Sequence, residues 1–213
     1  MRLFLVRHGQ TSWNISGRTQ GHTDTSLDPT GLDQARMLGR AFEGVHVDRL
    51  LCSDLARCTE TAEPVSKALG LPFEPREDLR ERAFGEWEGA RFGDVTSQLI
   101  ERAEASGISA QQVRPPGGES FEDVWRRVEP LHEWLRYTDD TVAIVSHGGT
   151  LSILLAKLIL GTLDTCRAFR HGNTAITELE RRADGLFLIL RYSDNAHLAP
   201  EPILCGSRDG GSR

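Results

Sequence analysis

Residues 2–9, RLFLVRHG, and residues 142–149, VAIVSHGG, follow one pattern: an apolar run that ends in a histidine and a glycine. A short continuous apolar run bounded by polar residues reads as a strand buried on both faces. Such strands belong to mostly parallel sheets covered by helices, where ligands bind at the carboxyl ends of the strands. Both histidines, His8 and His147, stand at such ends. Two strand ends that each present a histidine point to one crevice fed from two sides.

The segments between them alternate as this architecture requires. TSLDPTGLDQARMLGRAF (25–42) has apolar residues at helical spacing, with Asp28 and Pro29 as N-cap and first helical residue. VDRLLCS (47–53) reads as a strand, and Ser53 as the cap of a helix through DLARCTETAEPVSKALG, stopped by Gly70 and kinked or broken at Pro64. LPFEP (71–75) reads as a third strand. The apolar residues from Glu119 to Tyr137 trace one helical face, GGTLSILLAKLIL continues as a helix after His147, and TAITELER and LFLILRYS pair as strands across ADG. The fold class expected is α/β, a three-layer α/β/α sandwich with a mostly parallel sheet and a small helical cap. Residues 1–198 form one domain in this reading, with the cap insertion at about 86–118 and a disordered tail at 199–213.

Composition narrows the function classes. At 213 residues, with 38% hydrophobic and 26% charged residues, the chain is an ordinary globular protein. Its net charge of −6 and lack of a Lys/Arg run argue against nucleic-acid and membrane-surface partners. LSILLAKLIL (151–160) carries Lys157 and is too short to span a bilayer, and no segment reads as a signal peptide. The four cysteines lack C-x-x-C spacing, so reduced thiols and a cytoplasmic location are expected. A metal hydrolase ranks last, because no H-x-x-x-H or comparable ligand set is present.

The polar residues around the two histidines suit an anion. Arg7 supplies an always-charged planar fork, and Gly9 allows close approach to a ligand. Gly148 and Gly149 open a helix whose first N–H groups favour negative charge. Arg57, near the start of its helix, leans back toward the same rim. Glu81 sits in LRERAFGEWEG among Glu77, Asp78, Glu86 and Glu88, and the residues alone do not choose between these carboxylates.

LVRHGQTSWN (5–14), SDLARCTETA (53–62), LRERAFGEWEG (79–89) and IVSHGG (144–149), in this order, resemble the histidine phosphatase superfamily in its phosphoglycerate-mutase-like branch. The resemblance runs from about residue 2 to about residue 193 and favours the small-molecule phosphatase members. It implies that His8 is the nucleophile, that Arg7, Arg57 and His147 form the phosphate pocket, and that Glu81 is the proton donor. Asn14, Gln20, Gly21 and Gly148 match positions that line the pocket. No metal and no cofactor are implied, and the partner expected is a small phosphorylated metabolite. A homodimer is left open, as such folds commonly dimerise.

The activity expected is phosphomonoester hydrolysis through a phosphohistidine. Phosphoglycerate mutase is the alternative, and a mutase needs extra cations in the cap. Residues 86–118 offer only Arg91, Arg102 and Arg114. A non-catalytic phospho-ligand module is a further alternative, but the matched catalytic positions are all retained. In the cap, Trp87, Phe92 and Ile100 read either as an apolar wall around the substrate or as core, with core favoured for Ile100.

Overall fold

The computed structural model describes residues 1–199. The tail expected at 199–213 lies, from residue 200 onward, outside the described residues. The strands are β1 (Arg2–Arg7), β2 (Arg49–Ser53), β3 (Phe73–Arg76), β4 (Val142–Ser146), β5 (Ile176–Arg181) and β6 (Phe187–Asp194). They form one mixed sheet in the order β3-β2-β4-β1-β5-β6. β3, β2, β4 and β1 are parallel, while β5 and β6 are added antiparallel beyond β1. The helices are α1 (Ser12–Ile15), α2 (Pro29–Ala41), α3 (Ala56–Leu69), α4 (Phe92–Ser106), α5 (Phe121–Arg127), α6 (Glu129–Tyr137) and α7 (Gly148–Leu158).

Alternation along the central strands builds a core on each face. Leu3 and Leu5 join Leu51, Ile144 and the α7 residues Leu151, Leu154 and Leu155 on one side. Phe4 and Val6 join Leu38, Phe42, Cys58, Ala62 and Val145 on the other, under α2 and α3. β1 is therefore apolar throughout because both of its faces are covered. The chain leaves β1 toward α2 on one face and leaves β4 toward α7 on the other. That divergence of neighbouring parallel strands makes a crevice at their carboxyl ends.

Several local expectations hold. Asp28 caps α2, its side chain accepting from the Gly31 N–H, and Pro29 opens the helix. Gly70 ends α3 in the left-handed region at φ 62°.

Others are corrected. The N-cap of α3 is Leu55, without a side-chain cap; Ser53 is the last residue of β2, its Oγ accepting from His147 Nε2 at 2.9 Å and from the Leu55 N–H at 3.4 Å. α3 also runs through Pro64 unbroken, with Gly39 of α2 packed so closely that a Cβ there would lie 2.9 Å from the Pro64 oxygen. The single helical face read over 119–137 is two helices meeting at Val128. Pro130 lacks the N–H that a continuous helix would use.

Residues 86–118 contain α4, whose Val95, Leu99 and Ala103 bury against Trp87 and Val113. Among the described residues no helix is long and apolar enough to cross a membrane.

Candidate active site

Parallel pairing sets Arg7 opposite Ser146, so the next residue of each strand is a histidine. The His8 N–H donates to the Ser146 carbonyl at 2.9 Å, extending the ladder by one step. The two rings lie 5.2 Å apart between centroids. Both are buried, at 3% and 0% exposure. Gly9 then passes against α2, where a Cβ would come within 2.8 Å of the Gly31 oxygen, so only glycine fits this turn.

His8 Nδ1 lies 2.7 Å from the Gly9 carbonyl oxygen. A carbonyl can only accept, so Nδ1 carries the hydrogen and Nε2 keeps its lone pair. Burial, followed by the charges of Arg7 and Arg57, holds His8 well below the ordinary histidine range. The ring is a neutral base at neutral pH.

Arg57 is wholly buried at the start of α3. Its Nε–H donates to His147 Nδ1 at 3.2 Å, Nη1 to the Thr23 carbonyl at 3.0 Å, and Nη2 to the Gly21 carbonyl at 2.7 Å. Three of its five N–H groups are thereby used, and two remain for a ligand. The bond to Nδ1 places the His147 proton on Nε2, which donates to Ser53 Oγ at 2.9 Å. Burial and then Arg57 push His147 well below its ordinary range. Cys58, packed against this ring, is pushed up to about 12 by burial and stays a thiol.

On the other side, Arg7 Nη1 donates to the His171 carbonyl at 2.7 Å, and its Nε is buried with no partner.

Glu81 follows the 3₁₀ turn Glu77–Leu79 in a loop tied down from three directions. Arg127 donates to the carbonyls of Asp78 and Arg80 at 2.8 and 3.0 Å, Ser146 Oγ to that of Leu79 at 2.7 Å, and Thr150 Oγ1 to that of Arg80 at 2.7 Å. The Glu81 carboxylate thereby meets the start of α7, accepting from the N–H groups of Gly149 at 3.0 Å and Thr150 at 3.1 Å. Its rivals are engaged elsewhere. Glu88 accepts from the N–H groups of His22, Thr23 and Phe84, pinning the 20s loop. Asp78 pairs with Arg76, and Glu77 extends into solvent. Glu86 does not line the cavity.

A cavity of about 760 Å³ opens here, and Glu81 is the one carboxylate lining it among the described residues. Of the nine residues expected at the site, Arg7, His8, Asn14, Gln20, Gly21, Arg57, Glu81 and Gly148 line this cavity. His147 stands behind the wall, with both ring nitrogens engaged by Arg57 and Ser53. Asn14 Oδ1 accepts from the Thr11 N–H at 3.0 Å and Gln20 Oε1 from Thr11 Oγ1 at 3.1 Å, which leaves each amide NH₂ as the end available to the cavity.

In the cap, Trp87 is buried in the α4 cluster and does not line the cavity. Ile100, expected in the core, is 49% exposed and lines the cavity beside Phe92. The turn of α4 carries it there.

Sequence reading missed Arg82, Phe121 and His171 as lining residues. A signal existed for His171: Arg170-His171-Gly172 repeats the triplet of residues 7–9. No apolar run precedes it, so it was not legible as a strand end.

Residues 3–195 match the histidine phosphatase superfamily (branch 1). The chain is 38% identical over 75% of its length to the adenosylcobalamin/alpha-ribazole phosphatase of Escherichia coli (strain K12), covering 79% of that protein. It is 32% identical over 93% of its length to the broad-specificity phosphatase YOR283W of Saccharomyces cerevisiae, covering 87% of it. Among solved structures, a putative alpha-ribazole-5'-P phosphatase from Escherichia coli superposes with a TM-score of 0.82 at 31% identity, over 92% of this chain and 97% of that one.

Proposed function

The chain belongs to the histidine phosphatase superfamily and is a phosphatase; from that premise we propose that it hydrolyses a small phosphomonoester through a phosphohistidine on His8. The observation that carries the mechanism is the 2.7 Å bond from His8 Nδ1 to the Gly9 carbonyl, which leaves Nε2 as the only nucleophilic nitrogen.

The phosphate dianion binds among the free N–H groups of Arg7 and Arg57 and the amides of Asn14 and Gln20. Fixed cations at the transferring group stabilise the charge that spreads over its oxygens in the transition state. The Nε2 lone pair of His8 attacks phosphorus as the ester P–O bond breaks. Glu81 gives the departing alkoxide its proton, so the alcohol leaves neutral. Glu81, now a carboxylate, takes a proton from a water that attacks the phosphohistidine. The P–N bond breaks, His8 regains its lone pair, and inorganic phosphate departs with the acid restored. His147 acts from behind by holding the Arg57 guanidinium in register.

The groups that neutralise the phosphate in this scheme are arginines, so no metal is required. The only set of three His, Cys, Asp or Glu side chains close enough to share an ion among the described residues is Glu129, His132 and Glu133, none of which lines the cavity.

The buried free thiols Cys52, Cys58 and Cys166 support a cytoplasmic setting. Leu188, Ile189, Leu190 and Tyr192 stand exposed on the edge strand β6, which supports a homodimer formed there. Light scattering on the purified chain tests that assembly.

Release of inorganic phosphate from a phosphomonoester panel, measured with EDTA present, tests the function. The panel includes alpha-ribazole phosphate, 3-phosphoglycerate and p-nitrophenyl phosphate. Turnover of several members is expected. Isomerisation of 3-phosphoglycerate that depends on 2,3-bisphosphoglycerate would contradict it.

A further inference from the structure

The regular pairing of β1 with β5 ends at Val6, opposite Ile176. Beyond it, residues 171–174 hold Arg7 and His8 by other means. The Thr174 N–H donates to the Arg7 carbonyl at 3.0 Å and approaches that of His8 at 3.4 Å. Asn173 Nδ2 donates to the same His8 carbonyl at 2.9 Å. The His171 carbonyl accepts from the Arg7 side chain at 2.7 Å. With the His8 N–H on Ser146, the main chain of the nucleophile is fixed from both neighbours in the sheet.

Thr174 keeps this arrangement under strain. It is fully buried at φ 53°, in the left-handed region that β-branched residues rarely adopt. Such strain persists only where the surroundings over-determine it, and it collects at functional sites. The Thr174 hydroxyl donates to the Asn173 carbonyl at 2.8 Å and lies 3.3 Å from His197 Nε2, which ties down the turn that presents Asn173.

Asn173 does not itself line the cavity. The orientation of its amide follows from its neighbours. Asn14 Oδ1 accepts from the Thr11 N–H and lies 3.3 Å from Asn173 Nδ2. Facing this oxygen and the His8 carbonyl, that end of Asn173 must be the NH₂, with one hydrogen for each acceptor. Both lone pairs of Asn14 Oδ1 are then used, which commits the Asn14 NH₂ to the cavity.

We propose that Asn173 is a positioning residue for phosphoryl transfer, holding the His8 main chain so that Nε2 stands in line with the breaking P–O bond. The proposal rests on the phosphohistidine reading above and adds a residue that touches neither substrate nor phosphorus. The lever is short. The His8 carbonyl and the Gly9 N–H belong to one peptide plane, held by Asn173 at the carbonyl and by Thr61 Oγ1 at the N–H, 2.9 Å away. The Gly9 carbonyl that follows holds the His8 ring through Nδ1. A turn of that plane therefore moves the ring and its acceptor together. Of the two Asn173 bonds, the one to His8 matters more. Without Asn173, Asn14 keeps the Thr11 N–H, whereas the His8 carbonyl keeps only the longer contact from Thr174.

The test compares orthovanadate with inorganic phosphate. Vanadate becomes five-coordinate on Nε2 and reports alignment, whereas phosphate reports the anion pocket alone. Wild type is expected to bind vanadate far more tightly, as enzymes bind mimics of the transition state. Asn173→Ala should lower the ratio of the two affinities by roughly 10–100-fold, the scale of a misplaced reacting atom, with phosphate affinity within about threefold of wild type. The rate of the p-nitrophenolate burst at saturation should fall by the same factor. Asn173→His, whose Nδ1–H can replace the Nδ2 donor toward His8, should recover most of the ratio. Asn173→Asp matches asparagine in size and lacks the donor, so it carries the same prediction if Asn173→Ala does not fold. Because both ligands are anions, the ratio discounts its added charge. An unchanged ratio in either folded variant, including equal losses for both ligands, would overturn the positioning role. Wild type that binds vanadate no more tightly than phosphate would overturn the phosphohistidine reading, and the positioning role with it.

Discussion

The Nε–H of Arg57 donates to Nδ1 of His147 across 3.2 Å, so the cation fixes the tautomer of a histidine that does not itself line the cavity. The same guanidinium reaches the carbonyls of Gly21 and Thr23, joining α3, β4 and the 20s loop at one point. A lysine keeps the charge and loses the fork. Arg57→Lys is therefore expected to lower kcat/KM by roughly 10²–10³-fold, the scale of losing one preorganised donor to the developing charge. Steady-state kinetics on a folded variant check this, and a change within threefold would show that charge alone suffices.

Glu81→Gln separates proton donation from positioning. The amide keeps one of the two accepting oxygens that face the N–H groups of Gly149 and Thr150, and has no proton to give an alkoxide. Alkyl phosphates should lose about 10²–10⁴-fold in the first step, whereas the p-nitrophenolate burst should persist. Equal losses for both leaving groups in rapid-quench experiments would assign Glu81 a positioning role only.

His171 makes stability depend on pH. Its folded value of about 4 lies below the ordinary 6.5, chiefly through burial and then through Arg7. The unfolded chain therefore binds the proton first. The contribution is complete above 6.5 and is lost as pH falls toward 4, by about 2 kcal/mol between pH 7 and pH 5. His8 and His147 act in the same direction. Urea unfolding at pH 7 and pH 5 should show a steep loss, and His171→Gln should lose about 2 kcal/mol less over that interval. An unchanged slope would mean that His171 is not buried as a neutral ring.

Gly21 tests the 20s loop. Its φ of +58° lies in the left-handed region, and a Cβ would sit 2.1 Å from Glu88 Oε1. Gly21→Ala must displace the carboxylate that holds His22 and Thr23, and with it the carbonyl that Arg57 uses. A stability loss of about 1–3 kcal/mol and a fall in kcat/KM are expected. Wild-type kinetics and melting in this variant would show that the loop adapts freely.

What was legible in the sequence was local or repeated. The apolar runs before His8 and His147 gave their strand ends, Asp28 with Pro29 gave the start of α2, and Gly70 gave the stop of α3. Each signal acts within a few residues of its cause. Ser53 looked like a cap because nothing in its own segment names His147, its actual partner 94 residues away. The break at Val128 was written in Pro130 but hidden by continuous apolar spacing. α4 shows the limit of periodicity, because an apolar face reads the same whether it meets a core or a cavity. Ile100 therefore looked like core. The residues alone did not choose between Glu81 and Glu88, and the resemblance pointed to Glu81; the structure adds that Glu81 reaches α7 while Glu88 is spent on the 20s loop.

The account rests most directly on which atom of His8 takes the phosphoryl group. Wild-type enzyme quenched without acid during turnover of labelled substrate should yield an acid-labile, base-stable phosphoenzyme, absent in His8→Ala. Nuclear magnetic resonance of the trapped protein should place phosphorus on Nε2, because Nδ1 is held by the Gly9 carbonyl at 2.7 Å. Phosphate on Nδ1, on another residue, or undiminished turnover by His8→Ala would contradict the mechanism.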